Sequence, residues 1–121
     1  MGKKFSIKKR LKSFVYAGKG IITLFKHEHN AWIHCIFTIL VITAGFYFDV
    51  TKSEWVTLVL CIGIVFAAEA FNTAIEKLTD LVSPDIHPLA GKAKDLAAGA
   101  VLISAITAAI IGLIIFLPYI I

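Results

Sequence analysis

Apolar residues follow two rhythms along this chain. From Phe5 to Phe25 they come singly or in pairs, several of them three or four apart: Phe5, Ile7, Leu11, Phe14, Val15, Ile21, Ile22 and Phe25. Lys3, Lys4, Lys8, Lys9, Arg10, Lys12, Lys19 and Lys26 fill other positions. This spacing predicts an amphipathic helix over 3–28, lying in a membrane interface with its lysines toward anionic headgroups. Gly18 and Gly20 are expected to break it into two pieces. From Trp32 onward the apolar residues run together, with no Asp, Glu, Lys or Arg over 32–48, 55–68 or 96–121. Each run approaches the ~20 residues that a bilayer requires. The pattern predicts an all-α membrane protein with three spans, 32–48, 55–76 and 96–117, in a single domain over 1–121.

The breaks between these runs carry their own signals. His27-Glu28-His29-Asn30 reads as a polar linker, and Asp49 to Glu54 as a short loop in which Thr51 or Ser53 caps the next helix. That helix is expected to run to about Leu81. Val82 to Gly91, with Pro84 and Pro88, reads as a second loop, and Pro118 is expected to end the last span. Trp32 and Trp55 stand at span ends, where interfacial aromatics belong. Ala97, Ala100, Ser104, Ala108 and Gly112 lie on a small-residue face suited to close helix packing.

Composition excludes a soluble domain. A mean hydropathy of +0.87 is too apolar for 121 residues with so much surface to cover. No small-x-small cleavage pattern follows the basic start, so the N-terminus is expected to be retained. Cys35 and Cys61 lie inside spans without ligand spacing and read as packing residues. His27, His29 and His34 raise the question of a metal site, but His27 and His29 do not share a helical face. Eight lysines and arginines precede the first span, three (Lys77, Lys92, Lys94) flank the second loop and one (Lys52) lies in the first loop. The positive-inside rule puts the N-terminus and the second loop in the cytoplasm and the C-terminus outside, in a bacterial inner membrane. The basic segment points to a membrane surface, and no nucleic-acid partner is expected.

Within this frame one stretch stands out. Glu69, Asn72, Glu76 and Asp80 fall at i, i+3, i+7 and i+11, close to one stripe of a helix leaving the membrane. Glu69 follows an uncharged run and sits deepest, where an ionisable group is costly and marks a functional site by default. Two or three carboxylates and an amide at the cytoplasmic face suit a Mg²⁺–phosphate site, with Lys94 near a helix start to pair with phosphate. Glu69 can then serve as general base on a hydroxyl held in the bilayer. No Gly-rich phosphate loop of the P-loop or protein-kinase type is present. The residues leave two other readings open. Glu69 and Asn72 can be hydrogen-bonding glue between helices, or Glu69 can couple protons in a small non-enzymatic transporter subunit.

The full pattern is more specific. Glu69-x-x-Asn72-x-Ala74-Ile75-Glu76-x-x-x-Asp80, followed by His87-x-Leu89-x-Gly91-x-Ala93-Lys94-Asp95-x-x-Ala98-x-Ala100-Val101, resembles the prokaryotic diacylglycerol kinase family, which includes the undecaprenol kinases. The likeness covers nearly the whole chain. It implies a homotrimeric membrane lipid kinase that transfers the γ-phosphate of MgATP to a lipid alcohol, diacylglycerol or undecaprenol, at sites between subunits. It further implies Glu69 as catalytic base, with Glu69 and Ala98 beside the lipid, and Glu28 and Glu76 as the metal pair. Nucleotide contacts are implied for Lys9 or Arg10, and for Tyr16, Glu28, Asn72, Glu76, Asp80, Asp85, Ile86, His87, Lys94 and Asp95. Trp32 and His34 stand where diacylglycerol-specific members carry Arg and a carboxylate. Glu28 to His34 and Ser83 to Ala90 are similar to the undecaprenol-kinase branch.

Overall fold

The computed structural model describes residues 4–121, so Lys3, the first residue of the expected interfacial helix, lies outside the described residues. Four helices follow in order: α1 Ile7–His27, α2 His29–Tyr47, α3 Lys52–Val82 and α4 Pro88–Ile120. The last three are long and apolar enough to cross a membrane.

α1 starts at Ser6, whose hydroxyl accepts from the Lys9 amide. It runs unbroken through Gly18 and Gly20, which corrects the expected interruption. Each glycine removes only about 1 kcal/mol of helix preference, too little to break a helix whose apolar residues all fall on one face. Most of those residues, among them Ile7, Leu11 and Phe14, are exposed, as they must be to enter a membrane surface, while Leu24 near the helix end is buried.

Glu28 is the single non-helical residue between α1 and α2. Its extended backbone turns the chain, its amide closes α1 on the Leu24 carbonyl, and the Trp32 indole donates to the Phe25 carbonyl across the corner. Phe25 packs on Phe66 of α3, ring centroids 5.5 Å apart. The end of α1 is thereby tied to the same face of α3 that carries Glu69.

The α2–α3 turn is tighter. The Val50 amide donates to the Gly45 carbonyl and the Asp49 amide to the Phe46 carbonyl, with Asp49 at φ 51°. This is a Schellman motif with aspartate in the left-handed position that glycine usually fills. Thr51 then caps α3 in a reciprocal capping box with Glu54, and the Glu54 carboxylate accepts from the Tyr119 hydroxyl of α4. Val50, Leu58 and Ile115 form the buried cluster at this end, with Phe48, Trp55 and Phe116 against it.

Two expectations are corrected at α4. The loop after α3 is shorter than Val82–Gly91, because Pro88 takes the first helical position, where its missing N–H costs nothing, and His87 caps the helix by accepting from the Leu89 amide. The helix also passes through Pro118 and ends at Ile120. Only one carbonyl loses its partner there, within the last turn.

Because the α2–α3 turn is tight, unequal helix lengths become unequal depths. α2 has 19 residues and α3 has 31. At 1.5 Å per residue, α2 covers about 28 Å, close to a hydrocarbon core, and α3 about 46 Å. The excess emerges at the α1 end, where Glu69 to Val82 extend beyond the start of α2. α4 packs along α3 more extensively than any other helix pair, and its Ala97, Ala100 and Ser104 face Ala67, Ala68 and Asn72.

The close approach at Gly45 gives a test of the hairpin. A Cβ there would lie 2.5 Å from the Trp55 ring. Gly45→Val is expected to destabilise the protein by about 1–3 kcal/mol, the usual cost of overpacking, read as a lower unfolding midpoint in detergent titrations.

Candidate active site

Burial falls steadily along the α3 stripe. Glu69 is 0% exposed and Asn72 6%, Glu76 is half-buried, and the Asp80 side chain is 64% exposed. Neither Glu69 carboxylate oxygen makes a hydrogen bond, and the Asn72 side-chain oxygen makes none. The Asn72 amide nitrogen donates to Glu76 Oε1 at 3.4 Å. Buried polar atoms are nearly always paired in folded proteins, so three free acceptors within one turn mark a place where something else binds.

Glu28 and Glu76 both lie within electrostatic range of Glu69. The one-residue corner brings Glu28 there, because it swings the end of α1 back over α3. Three carboxylates therefore lie at this end of the bundle, Glu69 fully buried and Glu28 and Glu76 half-buried. Among the described residues, no three histidines, cysteines or carboxylates gather closely enough to enclose an ion alone. The arrangement still suits Mg²⁺, which takes one or two carboxylates and fills its remaining positions with phosphate oxygens and water.

Two participants were not read from the sequence as part of this site. His34 Nε2 of α2 lies 3.5 Å from Glu69 Oε2. Its signal was available: apart from Cys35 and Tyr47, it is the one ionisable side chain in the first span, and such a residue calls for a partner. Thr73 is the second, 6% exposed with a hydroxyl that makes no hydrogen bond. Thr38, Thr43, Thr57 and Thr107 all give their hydroxyls to the carbonyl four residues back. Thr73 instead keeps its hydroxyl free beside Asn72, and no sequence pattern marks the difference.

The outer residues are arranged differently. Lys94 of α4 forms an ion pair with Asp80 and is within electrostatic range of Glu76. Asp85, Ile86 and His87 lie together in the α3–α4 link, where Ile86 is fully exposed and the His87 ring serves as a cap. Asp95 and Ala98 are exposed on α4. Lys9, Arg10 and Tyr16 are not brought to the cluster by contacts within the chain. Arg10 stacks over Phe5 and Lys19 over Tyr16, and Tyr16 precedes Glu28 by twelve residues, about 18 Å along the helix.

An apolar groove of about 650 Å³ begins at Ile33 and His34 and runs between α2, α3 and α4 to Phe116. Its polar end thus lies beside Glu69, and the rest follows the bilayer-spanning length.

Comparison with known proteins fits this geometry. Residues 15–116 match the family model described as "Prokaryotic diacylglycerol kinase". This chain belongs to the prokaryotic diacylglycerol kinase family. It is 46% identical over 107 residues to a protein named undecaprenol kinase from Bacillus subtilis, covering 88% of this chain and 87% of that one. It is 40% identical over 109 residues to a diacylglycerol kinase from Synechocystis, covering 89% and 62%. To a diacylglycerol kinase from Escherichia coli it is 30% identical over 100 residues, covering 83% and 82%. The protein is accordingly a multi-pass membrane lipid kinase, with ATP and a membrane lipid as its substrates.

The Asp80–Lys94 pair is exposed enough that its contribution to folding should be small. Asp80→Asn is expected to change the unfolding free energy by less than ~1 kcal/mol, as for other surface pairs. A loss several times larger in an equilibrium unfolding measurement would mean that the pair clamps the α3–α4 end.

Proposed function

We propose that this kinase transfers the γ-phosphate of MgATP to the hydroxyl of undecaprenol at the membrane's cytoplasmic face, with Glu69 as the base. The observation that carries the reading is Glu69 itself, a fully buried carboxylate whose oxygens make no hydrogen bond, 3.5 Å from His34, which lines the end of an apolar groove. A lipid tail in the groove presents its terminal hydroxyl at that carboxylate. Glu69 takes the hydroxyl proton, the alkoxide oxygen forms the new bond to the γ-phosphorus, and the bond to the ADP oxygen breaks.

The remaining roles follow the stripe outward. Glu28 and Glu76 would hold Mg²⁺, which when bound supplies positive charge to the transferring phosphoryl group. Asn72 orients Glu76 through its amide. Lys94 and Asp95 sit at the nucleotide end, with Asp80 holding Lys94 in place. Asp85, Ile86 and His87 form the outer wall for the nucleotide, and Ala98 lies beside the lipid. Undecaprenol is favoured as acceptor by the 46% identity to the Bacillus subtilis protein of that name. Diacylglycerol is the second reading, favoured by the 40% identity to the Synechocystis protein.

A homotrimer with shared sites completes the picture. Phe71, Leu78, Leu81 and Val82 expose apolar side chains on the side of α3 away from the stripe, a surface suited to another copy. Lys9, Arg10 and Tyr16 reach a nucleotide most directly if they come from a neighbouring subunit. The N-terminus then lies in the cytoplasm, where ATP is, and the C-terminus outside.

Purified protein in lipid, given radiolabelled ATP, should label undecaprenol in preference to diacylglycerol when the two are offered side by side. Glu69→Gln should lower kcat by on the order of 10²–10⁴, the usual contribution of a general base. Full activity in that variant would remove Glu69 from the mechanism. Glu76→Gln should raise the Mg²⁺ concentration needed for half-maximal rate. If sites are shared, mixing inactive Glu28→Gln and Glu69→Gln chains before assembly should restore activity.

A further inference from the structure

Glu69 is surrounded by its own sign of charge. Glu28 from the α1–α2 corner and Glu76 from α3 both act on it electrostatically, and the Asn72 amide is committed to Glu76. One side chain offers it a donor. His34 points its Nε2 at Glu69 Oε2 from 3.5 Å, an ion-pair distance slightly beyond a hydrogen bond.

The approach is built into the helix geometry. Side chains lean toward the N-terminus of their own helix. α2 and α3 are antiparallel about the Asp49 turn, so His34 leans toward the α1 end and Glu69 leans away from it. Counted from that turn, His34 lies 13 residues back from Tyr47, level with Val65, one turn below Glu69. The two leans close that gap. The imidazole plane is set by the Phe66 ring, edge-on at 6.2 Å, and Phe66 is itself held by Phe25 of α1. His34 also lines the mouth of the apolar groove, and its side chain is 17% exposed. It therefore touches both the proposed base and the space through which an acceptor would reach it.

We propose that His34 is the positioning residue for Glu69. Its Nε2–H holds Oε2, which aims Oε1 at the acceptor hydroxyl. The contact shortens to a full hydrogen bond when lipid closes the groove mouth, as such contacts commonly tighten in the loaded enzyme. This proposal rests on the reading of Glu69 as base.

The test uses the full chain in lipid with two variants, His34→Gln and His34→Leu. Glutamine keeps an N–H donor near the Nε2 position, and leucine keeps only bulk. His34→Leu is expected to lower kcat by on the order of 10- to 100-fold, the range for a lost hydrogen bond to a charged group, with KM for MgATP unchanged. His34→Gln should recover most of the rate. Wild-type kcat in His34→Leu, or equal losses in the two variants, overturns the proposal. A measurement that does not depend on these variants folding is nitrogen-15 NMR of histidine-labelled protein. The His34 Nε2 resonance should move on Glu69→Gln substitution, and an unmoved resonance overturns the contact. Glu69→Gln activity separates the two levels. If that variant stays active, the base assignment fails, whereas an inactive Glu69→Gln beside a fully active His34→Leu rejects only the role of His34.

Discussion

A carboxylate has been placed where water cannot reach it, and most of the structure near it follows from that. Taking an ion out of water costs several kcal/mol even after the protein relaxes. Helix-to-helix packing alone gives no return on such a cost. Within the chain one side chain, His34 of α2, offers Glu69 a donor, while Glu28 from the α1 corner and Glu76 from its own helix add like charge and raise that cost. The surrounding excess of negative charge makes the centre a poor resting place for an anion and a good one for a divalent cation carrying phosphate.

Helix length converts this local chemistry into an axis. α3 outruns α2 from a tight turn, so successive carboxylates and amides on one stripe pass from the hydrocarbon to the solvent. Burial along the stripe records this passage, from fully enclosed at Glu69 to exposed at Asp80. A lipid hydroxyl and a nucleotide approach from opposite media, and a helix crossing the boundary is the simplest element able to address both. The Glu28 corner adds a second constraint, because it ties the surface helix α1 to this axis through one residue. The same corner docks Phe25 on Phe66, whose ring faces His34 at the groove end and which precedes Glu69 by three residues.

The spans and the stripe were legible because both rest on one-dimensional signals. Charge-free runs of membrane length identify α2 to α4, and the i, i+3, i+7, i+11 spacing puts Glu69, Asn72, Glu76 and Asp80 on one face without any tertiary knowledge. Breaks were less legible. Gly18, Gly20 and Pro118 were expected to interrupt or end helices, but their preferences are worth only a kcal/mol or so, or act within a final turn. Pro88 was read as a loop residue, although it begins α4 with His87 as cap. What could not be read was pairing. The His34–Glu69 contact depends on the lean of two antiparallel helices, and the Lys94–Asp80 pair on where α4 starts. The free hydroxyl of Thr73 depends on a rotamer. The grouping of Lys9, Arg10 and Tyr16 with the cluster was implied by likeness alone, and a single chain does not bring them together.

The Asp49 turn has a consequence for chain length. With the hairpin closed by two backbone hydrogen bonds and an αL aspartate, the registers of His34 and Glu69 are both counted from it. Adding or removing one residue anywhere between them turns one helix by about 100° and shifts it by about 1.5 Å relative to the other. That is enough to carry either side chain off the shared face. The tract from His34 to Glu69 therefore behaves as a fixed ruler, in which the number of residues is as strictly required as their kind. At the end of α4 the same turn is met by Tyr119, whose hydroxyl reaches Glu54 and whose ring stacks on Phe48, so only Ile120 and Ile121 follow the last contact with it.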